Sequence, residues 1–179
     1  LSAVMGCSGA FLYSAPPAYA AGYERVNGYY QMLDGAVIDG VVARGIDVSR
    51  WQGNIDWNTV AADDVEFVML GTRSKGAVDP YFHKNVKEAS DAGVRVGAYI
   101  YSLATTPQMA VEEADFVLDL VKDYPISFPI AFDAEDSSTL GSLPPAQVTE
   151  IINAFCERVE AAGYYPMVYA NDYWPIRSI

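Results

Sequence analysis

Histidine and cysteine are nearly missing from this 179-residue chain, which has one histidine, His83, and two cysteines, Cys7 and Cys156. So few imidazoles and thiols leave no His/Cys metal constellation, and a Ser-His-Asp triad would depend on a single imidazole. That imidazole sits in Tyr81-Phe82-His83-Lys84-Asn85, between apolar positions at helical spacing, and reads as a helix-surface residue. Cys156 falls in a helical pattern as a buried thiol, and no disulfide to Cys7 is expected. Basic charge is also scarce. Eleven Lys and Arg against 23 Asp and Glu give a net charge of -12 with no basic cluster, so the surface lacks the cations that bind nucleic acid by displacing counterions. No glycine-rich phosphate cradle follows an apolar run: Gly71-Thr72-Arg73-Ser74-Lys75-Gly76 has neither the G-x-G-x-x-G nor the P-loop spacing. A G-x-S-x-G nucleophile elbow is absent too. The one long apolar stretch is broken by Pro16-Pro17 short of a membrane-spanning length. Metal ions, organic cofactors and nucleic acid are therefore not expected, nor is membrane contact beyond a signal peptide.

What the chain does have is enough apolar residues, 51%, to bury a core of one domain or most of one. Residues 1–20 are uncharged and end in Ala18-Tyr19-Ala20, the small-x-small pattern of signal-peptidase sites, so an N-terminally clipped signal peptide cut after Ala20 is expected. A lipoprotein signal at Val4-Met5-Gly6-Cys7 fits less well, because the run stays apolar past the cysteine. Residues 21–41, with the near-repeat Asp34-Gly35-Ala36-Val37 and Asp39-Gly40-Val41-Val42, show no sustained period and read as a linker or pro-segment. The folded domain is expected over residues 42–179.

There an alternation begins. Apolar strands are expected at Val42 to Val48, Val65 to Gly71, Val94 to Tyr101, Phe128 to Ala134 and Pro166 to Ala170. Helices start after Asp56, at Asp79-Pro80, at Thr106-Pro107 and at Pro144-Pro145, each with a capping side chain or a first-turn proline. Ala110, Ala114, Val117, Leu118 and Val121 make one apolar stripe, and Val148, Ile151, Ile152, Phe155 and Val159 another. Strands apolar on both faces, alternating with helices, imply a parallel sheet; an α/β barrel and a doubly wound sheet both fit. Either fold gathers functional groups at the carboxyl ends of its strands. Those ends carry Asp47, Tyr99, Tyr101, Asp133, Glu135, Tyr169 and Asn171. In Phe132-Asp133-Ala134-Glu135 the alternation of a strand would turn both carboxylates to one face, a plausible acid/base pair for glycosidic hydrolysis. Like-charge repulsion within the pair, and from Asp47 across the rim, would keep one of the acids protonated near neutrality.

Gly45-Ile46-Asp47-Val48-Ser49-Arg50-Trp51-Gln52-Gly53 with Ile55-Asp56-Trp57 resembles the opening motif of the glycoside hydrolase family 25 lysozymes. The resemblance continues through Asp79-Pro80-Tyr81-Phe82, Gly97-Ala98-Tyr99-Ile100-Tyr101-Ser102, Asp133 to Glu135, Phe155-Cys156-Glu157 and Tyr169-Ala170-Asn171, and covers about residues 43 to 179. It implies a TIM-like β/α barrel with five β/α units present and the closing strands missing from this chain. It also implies a secreted N-acetylmuramidase of retaining type, acting on bacterial peptidoglycan outside the cell or in the wall, and monomeric when complete. Glu135 would then be the general acid, Asp133 its partner carboxylate and Asp47 the carboxylate of the first strand, with Tyr99, Tyr101, Tyr169 and Asn171 contacting the sugars. The resemblance leaves covalent and substrate-assisted routes equally open. Where many relatives carry an acidic residue or a longer loop this chain has Arg73-Ser74-Lys75. A fragment lacking closing strands is expected to be poorly soluble and weakly active or inactive. The alternatives are a non-catalytic peptidoglycan-binding module and a glycosidase of another amino-sugar polymer.

Overall fold

The computed structural model describes residues 2–6, 11–14, 23–74 and 76–171. In chain order the strands are β1 (Ser2–Gly6), β2 (Phe11–Ser14), β3 (Tyr23–Val26), β4 (Tyr29–Met32), β5 (Gly45–Val48), β6 (Phe67–Gly71), β7 (Arg73–Ser74), β8 (Ala77–Val78), β9 (Arg95–Tyr101), β10 (Ile126–Asp133) and β11 (Pro166–Asn171). The α-helices are α1 (Trp57–Ala62), α2 (Phe82–Asp91), α3 (Pro107–Val121) and α4 (Pro145–Ala161).

Five strands, β5, β6, β9, β10 and β11, lie side by side in chain order and run parallel. A doubly wound sheet would reverse its strand order at a switch point, and this one does not. On the far side of β11 the sheet continues into β1 and β2, both antiparallel to their neighbours, with Ser2 opposite Asn171 and Gly6 opposite Met167. Part of the stretch read as a signal peptide thus forms strands, while Cys7 and Ala18-Tyr19-Ala20 lie outside the described residues. Among the described residues the fold is α/β with a parallel five-strand sheet, and the edge strands are β5 and β2.

Helix starts follow from local chemistry. Asp56 caps α1, its Oδ1 accepting from the backbone N–H of Asn58 and Thr59 at 3.1 and 3.3 Å. Thr106 caps α3 through Met109 N–H at 3.2 Å, with Pro107 in the first turn. Pro144-Pro145 opens α4 as expected. Asp79-Pro80 lies one turn ahead of α2, which starts at Phe82 with Tyr81 as its cap: Asp79 Oδ1 accepts from the Tyr81 N–H at 2.9 Å, while Oδ2 accepts from the Arg50 N–H.

The even-numbered strand residues Val68, Leu70, Val96, Ala98, Ile100, Ile130 and Phe132 join the helix stripes of α2, α3 and α4 in the main core. Phe132 meets Phe155 of α4 edge to face, ring centroids 5.1 Å apart. Both apolar stripes read from the sequence are buried there, as is Cys156, while His83 is exposed on α2 with Nδ1 2.7 Å from the Tyr124 hydroxyl. Residues 21–41, expected as a linker or pro-segment, contain the β3–β4 hairpin instead. Its turn is Asn27-Gly28, both at positive φ (52° and 86°), and buried Tyr30 donates from its hydroxyl to Asp64 at 3.2 Å.

Odd-numbered strand residues face away from the helices. Phe67, Met69, Ala131 and Met167 form a second, smaller cluster there, with Tyr99, Phe128 and Tyr169 against it. Gly97 lets β10 come close on this face: a Cβ at that position would meet Met69 Sδ at 2.6 Å and the Pro129 carbonyl oxygen at 2.7 Å. Backbone cannot retreat as a side chain can, so Gly97→Ala is expected to destabilise the fold by about 1–3 kcal/mol. Urea unfolding monitored by tryptophan fluorescence checks this, with the midpoint shifting at an unchanged slope.

Candidate active site

The odd face ends, at the carboxyl side of the parallel strands, in the acidic and aromatic residues noted in the sequence. Asp47 is paired in register with Met69, Tyr99 with Gly71 and Ala131, and Asp133 with Tyr101 and Tyr169. All have odd numbers in neighbouring parallel strands, so their side chains share the face opposite the helices. Ala134, by contrast, is fully buried in the helix-side core.

β10 ends at Asp133, so Glu135 is a loop residue and strand alternation alone does not aim it. Three ties hold the backbone around it. The Glu135 N–H donates to Asp133 Oδ1 at 3.3 Å, the preceding N–H of Ala134 donates to the Tyr169 carbonyl at 2.8 Å, and Asp136 on the other side anchors a tight turn. Asp133 is 7% exposed. Burial pushes its carboxyl up to about 8, helped by the negative charges of Glu135 and Asp47 and opposed by the Glu135 N–H. Asp47 keeps access to water, yet the protein around it still raises its carboxyl above the ordinary carboxylate value. Burial and two neighbouring negative charges thus converge on Asp133 and hold it protonated near neutrality, whereas the family resemblance gives the general-acid role to Glu135.

Tyr99 lies between them. Its phenol is raised by burial first and then by the charges of Asp47, Asp133 and Asp79, and it hydrogen-bonds with Ser49. Room for its ring is made by Gly71, where a Cβ would come within 3.0 Å of the Tyr99 hydroxyl. Tyr101 is 41% exposed and donates from its hydroxyl to Asp136 Oδ2 at 3.1 Å. Its phenol is pushed up to about 12 by burial, then by that bond and by the surrounding carboxylates. Tyr169 packs against the odd-face cluster, and Asn171 is the last residue of β11, its side chain outside what is described.

Three residues matter here that the sequence reading did not assign to the site. Asp79 is 2% exposed and accepts from the N–H of Arg50 at 2.8 Å and of Tyr81 at 2.9 Å, tying the loop after β5 to the one before α2. Arg73, flagged as a departure from the family pattern, donates to Glu113 Oε1 at 2.5 Å and to the Tyr101 carbonyl at 3.0 Å. Glu113, on α3, also accepts from the Leu103 N–H at 3.1 Å. A buried carboxylate on a helix stripe otherwise apolar was the available signal for this pair. Among the described residues no group of three or more His, Cys, Asp or Glu could hold a metal ion. No described helix is long and apolar enough to cross a membrane. An open depression of about 760 Å³ beside α3 is lined by Glu112, Asp115, Phe116, Asp119 and Arg158 among others, and includes none of the rim carboxylates.

Residues 46–178 match the family described as Glycosyl hydrolases family 25, and the chain belongs to that family. It is 32% identical over 135 residues to the uncharacterized protein YegX of Escherichia coli O157:H7, covering 71% of this chain and 47% of that protein. The chain thus spans about half the length of the curated relatives it matches. Among solved structures, the modular autolysin LytC of Streptococcus pneumoniae superposes with a TM-score of 0.70 at 23% identity, over 94% of this chain and 42% of that one. LytC has also been solved in complex with a synthetic peptidoglycan ligand. A family 25 glycosyl hydrolase from Bacillus anthracis superposes with a TM-score of 0.63 at 25% identity, over 74% of this chain and 62% of that one.

The Asp133 electrostatics have a signature in stability. A carboxyl raised from 3.8 to about 8 binds its proton more tightly in the folded than in the unfolded chain, so its contribution is complete below pH 4 and is lost as pH rises toward 8. Wild-type stability is expected to fall by a few kcal/mol across that window, and Asp133→Asn to remove most of the slope. Denaturant unfolding at pH 5, 6.5 and 8 measures it.

Proposed function

We propose that this chain carries the catalytic carboxylates of a secreted peptidoglycan muramidase, cutting the β-1,4 bond between N-acetylmuramic acid and N-acetylglucosamine with retention. The observation that carries the reading is the buried, raised carboxyl of Asp133, on which Glu135 and Asp47 also act, on the open face of a family 25 sheet. The LytC peptidoglycan complex supports the choice of substrate. The sequential order of the five parallel strands supports a barrel-type arrangement, which the edge strands β5 and β2 leave unclosed among the described residues.

In this mechanism Glu135 protonates the leaving glycosidic oxygen, and Asp133, ionised in the working complex, stabilises the positive charge that develops at the sugar ring. Asp47 adds negative charge to the same rim and helps to raise Asp133. For Asp133 to act ionised it must give up the proton that burial favours, and the Glu135 N–H donating to Asp133 Oδ1 supports the ionised form. Tyr99, Tyr101, Tyr169 and Asn171 offer ring faces and an amide to the sugars. One observation favours the reverse assignment: the raised carboxyl belongs to Asp133, which would make Asp133 the acid and Glu135 the stabiliser.

The test is release of new reducing ends from bacterial wall suspensions. Glu135→Gln is expected to lower the rate by 10²-fold or more, on the order seen for loss of a general acid. On an aryl glycoside whose phenol leaves without protonation, Glu135→Gln should recover much of the rate and Asp133→Asn should not; the opposite pattern supports the reverse assignment. Wall binding without new reducing ends would favour a binding module, and faster cutting of chitin oligomers another substrate.

Export, with cleavage after Ala20 to leave residues 21–41 ahead of the domain, belongs to the same proposal. It would release β1 and β2 from β11, and sequencing the amino terminus of the exported protein reads it directly. With a net charge of -12, approach to an anionic wall is slowed by repulsion, so activity is expected to rise between roughly 10 mM and 150 mM salt.

A further inference from the structure

The loop that carries Glu135 is held from both sides, and the two holds differ in kind. Upstream, Ala134 is tied to β11 by backbone alone, through its N–H to the Tyr169 carbonyl at 2.8 Å. Downstream the tie depends on side chains. Asp136 uses Oδ1 for its own turn, accepting from the N–H groups of Ser138 and Thr139 at 2.9 Å each and from their hydroxyls at 2.6 and 3.1 Å. Oδ2 is left to reach across to β9, where it accepts from the Tyr101 hydroxyl at 3.1 Å. Asp136 is held well below the usual carboxylate range, at about 2, chiefly by the Ser138 hydroxyl, so the bond from Tyr101 ends on a charge.

Tyr101 is itself braced. Its carbonyl accepts from Arg73, and Arg73 is held in turn by Glu113, which is 6% exposed and also receives the Leu103 N–H. The second oxygen of Glu113, Oε2, is buried with no hydrogen-bond partner among the described residues. A carboxylate buried with one oxygen unsatisfied is costly, and the arrangement persists because Arg73 neutralises it while fixing residues 101–103.

We infer that Tyr101 is a positioning residue for Glu135: through Asp136 its hydroxyl pins the loop that presents the acid, while the Arg73–Glu113 pair fixes the end of β9 from which Tyr101 projects. The inference rests on the muramidase reading of Glu135 and changes the part given to Tyr101, from a sugar-contacting ring to the holder of the neighbouring loop. It also gives Arg73, foreign to the family pattern, a role at the rim. A general acid displaced by a fraction of an ångström loses rate without losing substrate, so the effect belongs in kcat rather than KM.

The experiment compares the full chain with Tyr101→Phe, Asp136→Ala and the double variant. Tyr101→Phe keeps the ring face and removes only the hydroxyl. It is expected to lower kcat on soluble peptidoglycan fragments about tenfold with KM within about twofold. Amide hydrogen exchange at Ser138 and Thr139 should accelerate, and the double variant should be no slower than Asp136→Ala alone. A raised KM at unchanged kcat would show that the hydroxyl serves the sugar, and additive losses would show that Tyr101 and Asp136 act separately; either overturns the inference. Unchanged exchange at Ser138 and Thr139 overturns it too. An inactive wild type is compatible with missing closing strands, and the exchange comparison then decides for or against the brace by itself.

Discussion

A buried acid at the end of an apolar strand is the constraint around which this molecule is arranged. Asp133 closes β10 immediately after Ile130, Ala131 and Phe132, all essentially inaccessible to water, and has two further carboxylates acting on it. Such a group is unfavourable for folding whenever it is ionised, and it is tolerated because the helix-side core carries the stability. The parallel strands separate the two tasks by residue parity. Even-numbered positions bury Val, Leu, Ile and Phe against α2, α3 and α4, while odd-numbered positions hold the acids, the tyrosines and the glycines that make room for them.

Loops around the rim are fixed by polar contacts. Asp79 joins the loop after β5 to the start of α2, Arg73 and Glu113 lock the end of β9 to α3, and Asp136 links the end of β9 to the loop after β10. Each device uses a charged or phenolic side chain to satisfy backbone groups that strand pairing leaves open at the sheet's end. In the proposed mechanism that rigidity is functional, because a proton donor and a charge stabiliser must keep their separation as the sugar enters.

Much of this was legible in the sequence wherever a periodicity or a capping residue carries the signal. The five parallel strands, the caps at Asp56 and Thr106, the proline starts and the two helix stripes follow from local patterns, and they are where the chain puts them. Contacts distant in sequence were not legible. Asp79-Pro80 has the form of a helix start, and one Asp79 oxygen does serve the Tyr81 N–H, but the other accepts from Arg50, 29 residues earlier. Glu113 stands out as an acid on the apolar stripe of α3, but nothing local names its partner, Arg73, 40 residues away. The β3–β4 hairpin was overlooked although Asn27-Gly28 is a strong turn signal, because the strands flanking it are short and polar and show no alternation. The raised carboxyl of Asp133 was also beyond the sequence: repulsion between Asp133 and Glu135 is symmetric, and the burial that dominates at Asp133 is set by packing.

The central claim is that burial at the end of β10, reinforced by the charges of Glu135 and Asp47, holds Asp133 protonated near neutrality. Carboxyl carbon-13 NMR titration, with Asp133 assigned by substitution, measures this most directly. The account predicts an Asp133 midpoint several units above the ordinary carboxylate value, near 8, moving down in Glu135→Gln and, by less, in Asp47→Asn. An Asp133 titrating with the surface carboxylates, and indifferent to both substitutions, would contradict it.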